Sequence, residues 1–294
     1  MKADRRSLAA FVLIALVWGS TWLVIKDQIS AVPAAWSVTW RFAVAMAAMF
    51  ALALWRGDRL RLTGAELRLA AVIALFQFCL NFQLIYQSEH ILTSGLVAVL
   101  FAVTLVPNAV LARLVLGSPI TARFALGSGI ALAGIGLLLF NEYQVAPTGL
   151  NVGLGAAMVA GAILSVSVGN LLQASERARG IPVLALMAWG MLFGVGLNAG
   201  IALLASGPPQ IDWRPGYLAG ILYLGLAGSA LTFPIYSWLI RQWGPGPAAY
   251  NGVLVPVVAM ALSTLFEGYH WGAAAVAGSV LALAGLVIAL SGRK

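Results

Sequence analysis

The chain alternates long apolar runs with short polar joints, ten times over. Each run is close to the roughly 20 residues a helix needs to cross hydrocarbon. The pattern predicts helices over Leu8–Ile25, Trp36–Trp55, Leu67–Tyr86, Leu92–Leu116, Thr121–Phe140, Asn151–Leu172, Val183–Ala205, Pro215–Trp238, Pro247–Phe266 and His270–Leu290. Glycine and proline mark most joints: Gly57, Gly117-Ser118-Pro119, Pro147, Gly180-Ile181-Pro182, Gly207-Pro208-Pro209 and Gly244-Pro245-Gly246-Pro247. No long hydrophilic stretch is left for a separate soluble domain. Joints this short make successive helices antiparallel neighbours. The predicted fold class is all-α: a polytopic membrane protein of ten transmembrane helices.

One stretch occurs twice. Leu105-Val106-Pro107 is followed by the octet Gly127–Gly134, and Leu254-Val255-Pro256 by the octet Gly278–Gly285. Both octets read GSxxALAG, and they lie 151 residues apart (278 − 127). Chance recurrence is the rival explanation, but shared order and offset favour duplication. The expected units are residues 1–146 and 147–294, each a five-helix repeat. Five is odd, so the second copy is inverted relative to the first. Inverted repeats whose helices are interrupted at matching points are an architecture of secondary transporters. Proline removes a helical donor and creates a place to bend. Pro107 and Pro256 are therefore candidate hinges, with static packed kinks as the alternative.

Composition supports the membrane reading. The chain is 62% apolar and 9% charged, against roughly 25% charged in soluble domains. Its net charge of +8 raises nucleic-acid binding, but the bases lie scattered between apolar runs. With the N-terminus inside, 14 of the 17 basic residues fall on inner segments. Lys26 and Arg214 fall outside, and Arg41 lies within the second span. That split satisfies the positive-inside rule and puts both termini in the cytoplasm. The first run follows Lys2, Arg5 and Arg6 like a signal peptide, but has no small-residue cleavage site and nine more runs follow it. The single cysteine, Cys79, permits no intrachain disulfide framework.

All nine acids lie in loops or at helix ends, which argues against an intramembrane carboxylate for ion coupling or catalysis. His90 and His270 fall at predicted helix ends. No HExxH or paired-carboxylate site is present, so no metal, cofactor or enzymatic activity is expected. Arg41, about five residues inside its span, either snorkels outward or faces the bundle to hold a carboxylate. That carboxylate is a substrate's or that of Glu267. Gln77 and Asn81, four apart, share one face of the third helix. Buried amides need partners, so the pair either bonds neighbouring helices or lines a wet cavity. Ser165, Thr232, Tyr236, Tyr250 and Asn251 add candidate cavity lining, with Ser167, Asn170 and Ser229 as weaker signals. Trp22 and Trp36, near the outer boundary, fit an interfacial belt. Trp18, near mid-depth, either packs or contacts an apolar substrate group.

These residues resemble the drug/metabolite transporter superfamily, specifically its ten-helix exporters built from two EamA-type halves. The resemblance rests on Trp18-Gly19-Ser20-Thr21 with Lys26, on Arg41-Phe42, on Thr93-Ser94-Gly95 through Pro107, and on Pro247-Ala248-Ala249 through Pro256. Phe266-Glu267-Gly268 resembles the acid that closes the family's ninth helix. Gly117-Ser118-Pro119 lacks its counterpart. The resemblance implies that helices 3, 4, 8 and 9 surround a central cavity and that helices 5 and 10 pack behind. The overall pattern also looks like bacterial amino-acid exporters, including those for aromatic amino acids. The sequence reading is therefore a monomeric exporter in the bacterial inner membrane. It moves small neutral metabolites, amino acids foremost, across the lipid bilayer by alternating access. Nucleosides, sugar derivatives or lipophilic drugs are alternative substrates, and an intramembrane lipid-modifying enzyme is the alternative from a different class.

Overall fold

A computed structural model describes residues 5–117, 119–145, 151–243 and 249–291. Lys2, Asp4, Ser118, Pro147, the Gly244–Pro247 joint, Ala248, Arg293, Lys294 and the expected boundary between residues 146 and 147 lie outside the described residues. The described residues contain helices and no strand. In chain order these are α1 (Arg5–Ala31), α2 (Ala34–Trp55), α3 (Gly64–Ser88), α4 (Ser94–Val115) and α5 (Ala122–Val145). They continue with α6 (Val152–Ala174), α7 (Val183–Ser206), α8 (Pro215–Tyr236), α9 (Asn251–Phe266) and α10 (Ala273–Ser291). Helical structure runs on from α8 as far as Trp243. Among the described residues nine of the ten are long and apolar enough to cross a membrane, and α9 is a shorter apolar helix of 16 residues. The protein is a multi-pass membrane protein.

Local chemistry sets several ends. Thr63 and Glu66 form a reciprocal capping box at the start of α3, which satisfies two orphan donors. Pro215 opens α8 at a position where its missing N–H costs nothing. α1 runs one and a half turns past its predicted end. Gln28 is fully buried and donates to the Tyr217 carbonyl at 2.9 Å, and Val32 packs on Tyr217. Tertiary contact thus carries the helix past Lys26-Asp27, where hydropathy falls.

Two compact units emerge, each drawn from both halves of the sequence. Unit 1 comprises Met1–Leu23, Ser88–Ala160 and Ile235–Lys294, and unit 2 comprises Val24–Gln87 and Gly161–Pro234. In unit 1, α5 packs along α10 and α4 along α9. The duplicated octet forms the α5–α10 seam. A Cβ on Gly127 would lie 2.3 Å from the Ala289 nitrogen, and one on Gly285 2.3 Å from the Ala131 nitrogen. Small residues here let two backbones touch, which drives helix association in lipid. In unit 2, α2 packs against α7 and α8, and α7 against α3.

Both α3 and α8 widen into π-helix, over Ala74–Leu80 and Tyr223–Leu231. The two segments begin 149 residues apart (223 − 74) and end 151 apart (231 − 80). That is the offset of the duplicated sequence. π-turns leave carbonyls to be satisfied from elsewhere and recur at functional sites. In α3, Ser165 Oγ donates to the Phe76 carbonyl at 2.7 Å, and Asn198 Nδ2 to the Phe78 carbonyl at 2.9 Å. In α8 the Ser229 hydroxyl donates to Leu224 of its own helix.

Candidate functional site

Arg41 anchors the polar interior of unit 2. It is the eighth residue of α2, about 10 Å from the helix start, and only 5% exposed. Its side chain does not reach the surface. The guanidinium carbon sits 4.7 Å over the Phe82 ring and 5.7 Å from that of Phe42, a cation–π arrangement. One terminal nitrogen donates to the Tyr86 hydroxyl at 3.5 Å. Nε is buried without a hydrogen-bond partner, and none of the ion pairs among the described residues includes Arg41. The α8 π-turn presses on this point: a Cβ on Gly225 would lie 3.0 Å from the Arg41 carbonyl.

One face of α3 carries the amides. Gln77 and Asn81 are both buried, and Asn81 Nδ2 donates to the Gln77 carbonyl at 3.4 Å. The Gln77 side-chain oxygen accepts from Gln173 on α6. Asn198 Oδ1 accepts from Gln83 at 2.8 Å, while Asn198 Nδ2 also reaches the Gly194 carbonyl. Gln77 and Ser165 therefore bond neighbouring helices around the π-turn. Asn81 keeps one buried acceptor oxygen without a hydrogen-bond partner. Thr232, fully buried, begins the stretch that follows the α8 π-turn.

Unit 1 holds the other candidates. The rings of Trp18 and Tyr236 lie 5.2 Å apart, tilted by 57°, on a cluster formed by Ile14 and Leu239. Asn251 Nδ2 donates to the Phe11 carbonyl at 2.9 Å and ties α9 to α1. Tyr250, half-buried, precedes the first turn of α9. Pro256 is buried inside α9. Pro107 instead follows a 3-10 turn over Ala102–Thr104, so the two prolines have different local backbones. The Glu267 carboxylate accepts the Ser94 N–H, 3.2 Å from each oxygen, and the Ser94 hydroxyl. It caps the start of α4 from the end of α9.

The predicted site residues are thus shared out. Arg41, Gln77, Asn81, Ser165 and Thr232 lie in unit 2, and Trp18, Tyr236, Tyr250, Asn251 and both prolines in unit 1. Trp36 does not join an interfacial belt. It is 3% exposed, packed with Tyr217 and Ile221, and its indole donates to the Gly207 carbonyl. Phe82, Tyr86, Gln173 and Asn198 join the polar interior without being among the residues expected from the sequence. Phe82 and Tyr86, four apart just beyond Asn81, were a visible helical-face signal; Gln173 and Asn198 gave none without knowing which helices meet.

Known proteins place this arrangement. A solved crystal structure matches over 99% of this chain and 99% of its own, with a TM-score of 0.70 at 17% identity, which shows the fold. Protein PagO of Salmonella typhimurium is 25% identical over 95% of this chain and 90% of its own length. The "Uncharacterized inner membrane transporter YedA" of Escherichia coli is 28% identical over 86% and 80%. The "Probable amino-acid metabolite efflux pump" of Salmonella typhimurium is 26% identical over 95% and 93%. The EamA-like transporter profile matches residues 5–140 and again 153–291. This chain belongs to the EamA-like transporter family, and it is a membrane transporter of the drug/metabolite superfamily.

Proposed function

We propose that this transporter exports amino acids or closely similar carboxylated metabolites, by alternating access, from a bacterial cytoplasm across the inner membrane. The observation that carries the reading is Arg41. A charge inside a membrane span is costly and marks function by default. This one is buried, backed by an aromatic ring and left with an unpartnered Nε. Nε and a terminal nitrogen form the edge from which a guanidinium grips a carboxylate with two parallel hydrogen bonds. The free oxygen of Asn81 offers an acceptor of the kind an ammonium group needs. The name of one relative points to the same substrate class.

In this reading Pro107 and Pro256 serve as hinges of an inverted duplication split near residue 147. The matching offset of the two π-turns supports that duplication. The protein works as a monomer with both termini in the cytoplasm. A counterflow screen in proteoliposomes tests the substrate class. Labelled neutral amino acids should exchange, and nucleosides and sugar derivatives should not. Exchange of nucleosides with no exchange of any amino acid refutes the reading.

A further inference from the structure

One surface of unit 2 is more ordered than a solvated charge run needs to be. α2 ends in Leu54 and Trp55, which are 66% and 83% exposed. A tryptophan this exposed at a helix end sits at headgroup level, so the residues just beyond it lie where lipid phosphates are. Those residues form a fixed turn. Gly57 supplies the left-handed conformation, φ 70°. Arg59 pairs with Glu66 at 2.6 Å and also donates to the Arg61 carbonyl at 3.0 Å. The Trp189 indole pins the Leu60 carbonyl at 2.9 Å, and the Thr63–Glu66 box closes the turn. A short 3-10 turn, Glu176–Ala178, packs against α3 at the same end. Glu176 there is taken by Arg179.

This leaves Arg56, Arg61, Arg68 and Arg177 exposed and outside every ion pair among the described residues. Asp58 is the remaining acid of these loops. Guanidinium groups bind phosphate oxygens through paired hydrogen bonds, and the backbone that carries Arg61 is fixed by the Arg59 and Trp189 bonds. The exposed apolar residues beside them favour a partner that presents phosphate and hydrocarbon together, rather than a soluble polyanion.

We propose that this face is a docking surface for the headgroup of an anionic phospholipid, with Trp55 and Leu54 against its upper acyl carbons. The proposal is independent of which solute the protein carries. An arginine near an anionic surface strengthens association about fivefold, so removing four should weaken it by at least about tenfold.

The test reconstitutes the full chain in phosphatidylcholine vesicles carrying spin-labelled phosphatidylglycerol or spin-labelled phosphatidylcholine. The motionally restricted fraction gives the relative association of each lipid. Wild type should prefer phosphatidylglycerol. The R56Q/R61Q/R68Q/R177Q variant should lose most of that preference, and the R61Q/R177Q variant, which keeps Arg56 at the helix end, should lose part of it. Replacing Lys26 and Arg214 by glutamine should leave it intact. Equal association of the two lipids with wild type overturns the proposal, as does an unchanged preference in either folded variant. Displacement of the labelled lipid by soluble glycerol phosphate would identify a free-anion site and also overturn it.

Discussion

Consider Gly285→Ala in the α5–α10 seam. The new methyl would lie 2.3 Å from the Ala131 nitrogen, 2.6 Å from the Gly127 carbonyl oxygen and 2.8 Å from the Ala131 Cα. Ordinary contact begins at 3.4 Å, so the shortfall is 1.1 Å (3.4 − 2.3). All three neighbours are backbone, so no side chain can swing aside. The helices must separate by about 1 Å, and a gap of that size forfeits a quarter to a half of each dispersion contact it opens. Overpacking of this kind costs about 1–3 kcal/mol; the backbone clash puts Gly285→Ala at about 2–3. Gly127→Ala should match it, and Gly278→Ala, nearest 2.7 Å, should cost less. Gly129 supplies a control inside the first octet: a Cβ there meets nothing within 4 Å. Gly129→Ala should be neutral, or stabilising by up to about 1 kcal/mol through helix propensity. Unfolding in mixed micelles by added SDS, followed by circular dichroism, reads these differences. If Gly285→Ala and Gly129→Ala unfold at the same SDS fraction, the seam does not hold the helices as described.

Further outcomes follow from the polar contacts and the two prolines. Asn198→Leu strands the Phe78 carbonyl and the Gln83 amide, so it should cost about 2–4 kcal/mol in the same SDS titration, whereas Asn81→Ala should reduce transport while leaving the unfolding midpoint nearly unchanged. Glu267→Ala removes the acceptor for the Ser94 N–H and hydroxyl, at a cost of about 1–2 kcal/mol, and should raise amide exchange selectively in the first turn of α4. Pro107→Ala and Pro256→Ala should shift spin-label distances among the cytoplasmic helix ends and among the opposite helix ends in opposite directions; no shift, or the same shift in both, ends the hinge assignment.

Much of the architecture was legible because hydropathy in a membrane chain is coarse and strong. Ten runs predict ten helices, and the resemblance puts helices 5 and 10 behind the cavity; that they form a seam with each other comes from the structure. The octet showed its recurrence in sequence, but not that its glycines meet each other's backbones. The π-turns were invisible, because Ala74–Leu80 and Tyr223–Leu231 have no composition that separates π from α. The α3 turn is served by Ser165 and Asn198 arriving from other helices, and the α8 turn by Ser229 of its own helix. For the same reason the Gln77–Asn81 spacing marked a polar face without choosing between bonds and cavity. Arg41 stood out as an intramembrane charge, yet its ring cage required knowing that α2 and α3 face each other there.

Arg41 as the carboxylate receptor is the central claim. The direct measurement is counterflow of an amino acid against its carboxamide, in wild type and in folded Arg41→Gln and Arg41→Lys variants. Loss of a charge-assisted pair is worth about 1.5–3 kcal/mol. Wild type should therefore prefer the acid by about 10- to 100-fold, Arg41→Gln should erase the preference while still carrying the amide, and Arg41→Lys should restore only part of it. Equal transport of acid and amide by wild type, or an undiminished preference in Arg41→Gln, would contradict the account.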